Sequence, residues 1–126
     1  SWSALPSVQA RVEGALREGL GEIGERVHVF SHLSHLYADG SSLYTTYLFR
    51  LAGDPDENLR RWQRLKSAAS QAIVEERGTI SHQHGVGVDH LPYLAAEKGT
   101  LGLSALQSLC RHFDPGGLMN PGKLVP

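Results

Sequence analysis

Apolar residues recur every three or four positions near the start of the chain, at Val8, Val12, Leu16, Leu20 and Ile23. That period predicts an amphipathic helix opening at Leu5-Pro6-Ser7. Gly14, Gly19, Gly21 and Gly24 weaken it, each by about 1 kcal/mol relative to alanine where interior, and Gly24 marks its expected end. From Val27 to about Leu33 the period shortens and the residues favour β structure, which predicts a strand. Tyr37-Ala38-Asp39-Gly40-Ser41-Ser42 is a turn sequence. Leu43 to Leu51 then alternates: Leu43, Thr45, Tyr47, Phe49 and Leu51 share one face, and Tyr44, Thr46, Leu48 and Arg50 the other. Two such strands around a tight turn predict an antiparallel hairpin.

Asp54-Pro55-Asp56-Glu57 is a helix start: Asp54 can cap, Pro55 suits the first helical position and Glu57 completes a box-like arrangement. The helix it opens is expected to bury Leu59, Trp62, Leu65, Ala69, Ala72 and Ile73 and to stop at Gly78. Thr79-Ile80-Ser81-His82-Gln83-His84-Gly85-Val86-Gly87 reads as a strand entering a glycine-rich loop. A short helix near Pro92 to Lys98 and a second from about Thr100 to Phe113 follow. Asp114-Pro115-Gly116-Gly117 breaks the regular pattern, and Leu118 to Pro126 reads as an extended tail. The element order predicts an α+β fold, a small antiparallel sheet with helices on one face, in the manner of part of a ferredoxin-like layer.

With 126 residues the chain can hold one modest core. A net charge of −1 gives no electrostatic reason to expect nucleic acid or a membrane surface as partner. No apolar run approaches the roughly 20 residues that span a bilayer, and no signal peptide opens the sequence. The single cysteine, Cys110, has no internal partner for a disulfide, which fits a reducing, cytoplasmic setting. The first residue is Ser1 rather than methionine, so the functional unit is expected to be larger than this chain.

Histidines concentrate in two places. His28, His32 and His35 precede the hairpin turn, and His82 and His84 flank Gln83 in the glycine-rich loop. Imidazole titrates near neutrality and serves proton transfer, metal ligation and anion binding alike. If the loop is extended, His82 and His84 point the same way and can address one ligand. His32, His35, His82 and His84 also offer imidazoles to a transition metal, although their spacing matches no compact zinc pattern. Tyr44 on its sheet face is equally consistent with packing.

Several stretches together carry a resemblance. Gly78 to Gly87 resembles the histidine loop of the vanillyl-alcohol-oxidase-type flavoproteins, in particular the C-terminal region of alkyldihydroxyacetone phosphate synthases and their bacterial relatives. Ser34-His35-Leu36-Tyr37-Ala38-Asp39-Gly40 with Leu43-Tyr44 is similar to that family's hairpin. Pro92-Tyr93-Leu94 with Glu97 and Gly99 is similar to its next helix, and Phe113-Asp114-Pro115 through Asn120-Pro121-Gly122-Lys123-Leu124 to its terminal signature. Related D-lactate, glycolate and D-2-hydroxyglutarate dehydrogenases carry a further histidine after the Asp-Gly turn and a glutamate before the His-Gly pair, which help hold a divalent metal. Here Tyr44 and Gln83 stand near those places, and a phenol and a carboxamide are poor ligands for such a cation, so no metal is expected. The synthases usually show three consecutive histidines in the loop; in this chain the middle one is Gln83, which keeps hydrogen bonding but takes up no proton.

The resemblance implies part of an FAD-dependent oxidoreductase or transferase of ether-lipid type, in which the flavin does the hard chemistry and this region handles substrate and protons. Residues 1–113 would form the substrate (cap) domain, and 114–126 a tail returning to an N-terminal FAD-binding domain; no stretch before Val27 resembles that domain's phosphate-binding loop. It implies Tyr44 as the group that takes a proton beside the substrate ketone. A free phenol titrates near pH 10, about three units above neutrality, so it needs help from a neighbouring positive charge. His82 and His84 would be its catalytic companions, and His35, Gln83 and Arg50 would bind a keto or phosphate substrate. His84, Gly85, Asn120 and Lys123 would face the flavin. The isolated chain is expected to bind no FAD and turn nothing over, and pairing into a homodimer is left open. Two other readings stand beside this one: a fragment of a 2-hydroxy-acid FAD dehydrogenase, and a non-catalytic ferredoxin-like interaction module.

Overall fold

The structure, a computed structural model, describes residues 1–125. Pro126, the last residue of the expected tail, lies outside them. The chain divides into two units, Ser1–Gly78 and Thr79–Pro126, and the architecture is α+β, with a two-stranded antiparallel sheet among the described residues.

In unit 1, helix α1 (Leu5–Glu18) is followed by a 3-10 turn at Gly21–Ile23, strands β1 (Val27–Leu36) and β2 (Ser41–Phe49), and helix α2 (Pro55–Glu75). Helix α1 packs against both strands and against α2. Its Val12 and Leu16, with Leu20 just beyond its end, are buried together with Val27 and Val29 of β1 and Leu65 and Ala72 of α2, and Tyr47 and Phe49 of β2 pack against this core. The helix stops at Glu18, earlier than the periodicity predicts, and Gly24 (φ 70°) instead closes the 3-10 turn. Leu20 stays buried through that turn, whereas Ile23 is exposed.

The two helices run antiparallel. Ser7 Oγ donates to Glu76 Oε2 at 2.6 Å and Arg11 pairs with Glu75 at one end, and Arg64 reaches Glu22 at 2.7 Å at the other. Between these ends α2 approaches Gly19 closely: a Cβ there would stand 2.8 Å from Leu65 Cδ2. Because α1 ends opposite Leu65, the first turn of α2 runs on beyond it. Leu59 is therefore 52% exposed rather than buried, and Trp62 is half-buried.

Asp54 caps α2 by accepting from the Asp56 amide at 3.0 Å, with Pro55 in the first turn. Glu57 does not close the box; its carboxylate bonds Arg60 and Arg61, each at 3.0 Å. The far end stops on Arg77 (φ 56°), not on Gly78. The Gly78 amide bonds the Ile73 carbonyl at 2.8 Å and the Arg77 amide the Val74 carbonyl at 3.0 Å, the paired bonds of a Schellman motif.

Unit 2 begins with a loop, not the expected strand. No strand pairs with residues 79–87 among the described residues, and the Ile80 amide bonds the Glu97 carboxylate instead. A 3-10 turn at Leu91–Tyr93 leads into α3 (Leu94–Phe113), which Gly99 interrupts at φ 67°, ψ 171°. Only glycine holds that conformation readily, so the two helical pieces expected on either side of Gly99 are both present. Ile80 and Leu94 are buried, while Leu101, Phe113, Leu118 and Met119 are each at least 75% exposed. Among its described residues the tail has no helix or strand and is drawn into turns rather than one extended run, with positive φ at Asn120, Gly122 and Leu124.

Candidate functional site

The hairpin has two unlike faces. Val27 and Val29 of β1, with Tyr47 and Phe49 opposite, face the core. The other face carries His28, Phe30 and His32 on β1 and Tyr44, Thr46 and Leu48 on β2. Of these, Phe30 is 47%, Tyr44 54% and Leu48 59% exposed. Apolar rings on an open sheet face, so close to imidazoles and a phenol, suit contact with a flat or partly apolar molecule. Tyr44 is on this open face, as the alternation predicts for it.

His32 lies directly across from Tyr44 in the register, and their rings stack with centroids 5.3 Å apart and planes inclined by 24°. This pairing was hidden in the sequence, which suggested His32 only as one of several metal-ligand candidates. A bulge between Leu33 and His35 is the reason. Counting evenly back from the turn sets Tyr44 against Leu33; the extra residue sets it against His32.

On the turn side of the bulge His35 pairs with Ser42, on the Tyr44 face. The Ser42 hydroxyl accepts from the His35 amide at 3.1 Å and lies 3.3 Å from its Nδ1, and Ser34 Oγ is 3.0 Å from the same nitrogen. His35 is thus held by two hydroxyls near the turn. Arg50 follows β2, exposed, and its carbonyl accepts from Arg61 Nη1 at 2.9 Å. Beneath the hairpin, Glu13 of α1 lies below the usual carboxylate range through hydrogen bonds from Gln9, Ser31 and Arg17, which ties α1 to the strand that carries His32.

In unit 2 the histidine loop is compact. Ser81 Oγ donates to the His84 carbonyl at 2.8 Å, and Gln83 at its centre takes φ 60°. The left-handed residue breaks the two-residue alternation on which a common direction for His82 and His84 depended. His82 is half-buried, while Gln83 and His84 are exposed. No heavy atom lies within 4 Å of where a Cβ would stand on Gly85 or Gly87. A planar ring or a phosphate can therefore come up to this main chain, with imidazole and carboxamide donors beside it.

Glu97 of α3 supports the loop at its entrance. Its carboxylate accepts from the Ile80 amide at 3.0 Å and from Lys98 Nζ at 2.6 Å. Burial raises its pKa, and the Lys98 and Ile80 hydrogen bonds outweigh that, leaving it below the ordinary value.

In the tail, the Asn120 carbonyl accepts from the Lys123 amide at 3.2 Å, and both residues are exposed. Just ahead of them, Asp114 accepts from the amides of Met119 at 2.7 Å and Leu118 at 3.1 Å. The Met119, Leu118 and Gly117 amides hold it below the ordinary aspartate range. A lowered carboxylate contributes order that is present above its ordinary value and lost as pH falls through the lowered one. The Leu118 and Met119 amide resonances are therefore expected to keep their positions from neutrality down into the acid range and to move only below the ordinary aspartate value. Asp114→Ala should move them already at neutral pH; spectra that track ordinary aspartate titration would contradict this.

Tyr44, His32, His35 and Arg50 belong to unit 1, and His82, Gln83, His84, Gly85, Asn120 and Lys123 to unit 2. Among the described residues, no group of three or more His, Cys, Asp or Glu side chains is placed to hold a metal ion. No helix among them is long and apolar enough to cross a membrane.

Comparison with known proteins agrees with this composition of parts. An alkyldihydroxyacetonephosphate synthase of Trypanosoma brucei brucei is 33% identical over 116 residues, 91% of this chain and 18% of that protein. The synthase of Dictyostelium discoideum is 29% identical over 98 residues, 78% of this chain and 16% of its own length. A mitochondrial D-lactate dehydrogenase [cytochrome] of Arabidopsis thaliana is 32% identical over 114 residues, 76% of this chain and 20% of that protein. The chain thus spans about a fifth of the length of these curated relatives. The family described as FAD linked oxidases, C-terminal domain, matches residues 1–124, and to that family the chain belongs.

Proposed function

We propose that this chain is the substrate-facing part of an FAD-dependent transferase resembling alkyldihydroxyacetonephosphate synthase, with Tyr44 as the proton acceptor. The observation that carries the reading is the position of Tyr44 on the open face of the hairpin, away from the core. A phenol there is available to a bound molecule, and the similarity to two such synthases supplies the reaction class.

In this reading residues 1–113 make up the substrate domain, and 114–126 lead back to an FAD-binding region that precedes the chain. The exposed Leu101, Phe113, Leu118 and Met119 support an apolar contact of that kind. FAD, when bound, would supply the reacting ring system for replacing the fatty acid of an acylated keto phosphate, which leaves as its carboxylate, by an incoming fatty alcohol, without net oxidation. Tyr44 takes the proton next to the substrate ketone. His82 and His84 supply positive charge or hydrogen bonds that favour the phenolate and meet the developing oxyanion. Gln83, His35 and Arg50 hold the keto or phosphate end of the substrate. His84, Gly85, Asn120 and Lys123 address the cofactor, with the open main chain at Gly85 leaving room for it. A cytoplasmic setting and an ether-lipid product complete the proposal.

The second reading is a 2-hydroxy-acid dehydrogenase, favoured by the similarity to the Arabidopsis D-lactate enzyme. The two separate in one experiment on the complete gene product. The transferase reading expects its flavin to stay oxidised on mixing with D-lactate, glycolate or D-2-hydroxyglutarate; prompt bleaching by any of them would establish the dehydrogenase instead. The chain of residues 1–126 alone is expected to carry no FAD and show no turnover, and a stoichiometric yellow cofactor on it would overturn that expectation.

A further inference from the structure

We propose that His32 is the positioning residue for Tyr44, its imidazole fixing the direction in which the phenol hydroxyl is offered to substrate. The inference rests on the reading of Tyr44 as proton acceptor and adds a residue to it. Tyr44 is 54% exposed, and among the described residues its ring contact is the stack on His32, at 5.3 Å and 24°. The neighbours on its own strand and face, Ser42 and Thr46, are too short to wedge the ring. Phe30, the next aromatic residue on the open face of β1, packs with His28 at 5.8 Å.

Without His32 the phenol is free to move among its staggered rotamers. A proton acceptor is effective only within hydrogen-bond reach of the proton it takes, and small misplacement is costly. An imidazole suits the task because its flat ring matches the phenol face and its nitrogens tolerate water. The stack depends on the bulge, which brings His32 rather than Leu33 opposite Tyr44.

The test uses the FAD-loaded full-length enzyme, together with proton spectra of this chain. In the enzyme, His32→Ala is expected to lower kcat about two- to tenfold, the scale of one aromatic pair, with KM little changed. His32→Phe, which keeps a flat ring, should restore most of kcat. In the spectra, the Tyr44 ring resonances, identified by their loss in Tyr44→Phe, should move in His32→Ala. The inference is overturned if Tyr44→Phe is inactive while His32→Ala keeps wild-type kcat, if His32→Phe is as impaired as His32→Ala, or if the Tyr44 resonances do not move. A Tyr44→Phe enzyme with full activity removes the reading of Tyr44 itself, a separate result.

Discussion

Tyr44→Phe is expected to lower kcat of the FAD-loaded enzyme by about 10²–10⁴-fold, the range associated with loss of a positioned acid or base. The substitution takes away one hydroxyl from an exposed side chain and leaves the ring that stacks on His32. Phenylalanine is as well suited to a strand as tyrosine, so the hairpin should form unchanged. Thermal unfolding of the variant should accordingly superimpose on that of the parent, while turnover of an acyl-dihydroxyacetone phosphate with a fatty alcohol collapses. Undiminished turnover would return Tyr44 to a packing role.

The largest effect on stability is expected at Leu65. Its side chain is fully buried against Leu16 and Leu20, and Leu65→Ala should cost about 2–5 kcal/mol in denaturant unfolding. The upper part of that range applies because the vacated space borders the backbone of α1 at Gly19, which cannot collapse inward as a side chain can. Leu59→Ala, on the same helix but 52% exposed, should fall within about 0.5 kcal/mol of the parent. The geometry adds a coupling. Gly19→Ala alone drives a methyl into Leu65 Cδ2, whereas combined with Leu65→Ala the methyl enters the vacated volume. The double variant should therefore be more stable than the sum of the single changes implies. Equal costs at Leu59 and Leu65 would mean that the helices pack along a different seam.

Much of the fold was legible where local chemistry decides it. Asp54-Pro55 started α2, Gly99 divided the last helix, and alternation gave both faces of β2. The misreadings have physical causes. Arginine has no preference for positive φ, so nothing marked Arg77 as the end of α2; the Schellman hydrogen bonds impose it. Thr79 and Ile80 favour strands, but a strand exists only with a partner, and the Ile80 amide finds the Glu97 carboxylate instead. Leu59 fits the apolar stripe of α2, yet burial depends on where α1 stops. In the candidate site, Tyr44 and the histidine loop were visible in the sequence through their resemblance to a family. The His32–Tyr44 pair was not, because one inserted residue changes which side chains meet and leaves no mark on composition or periodicity.

That inserted residue also separates the length of β1 from the faces its side chains take. Deleting Ser34 would close the bulge and leave the observed pairs on both sides of it in place, Leu33 with Leu43 and His35 with Ser42. Even pairing straight through Ser34, with the residue kept, would instead carry Val27 and Val29 to the solvent face and His28 and Phe30 into the core. The core cannot accept the imidazole cheaply, so the buried valines hold the bulge where it is. A one-residue gap at this place in a relative would thus signal the same pairing with a straighter strand.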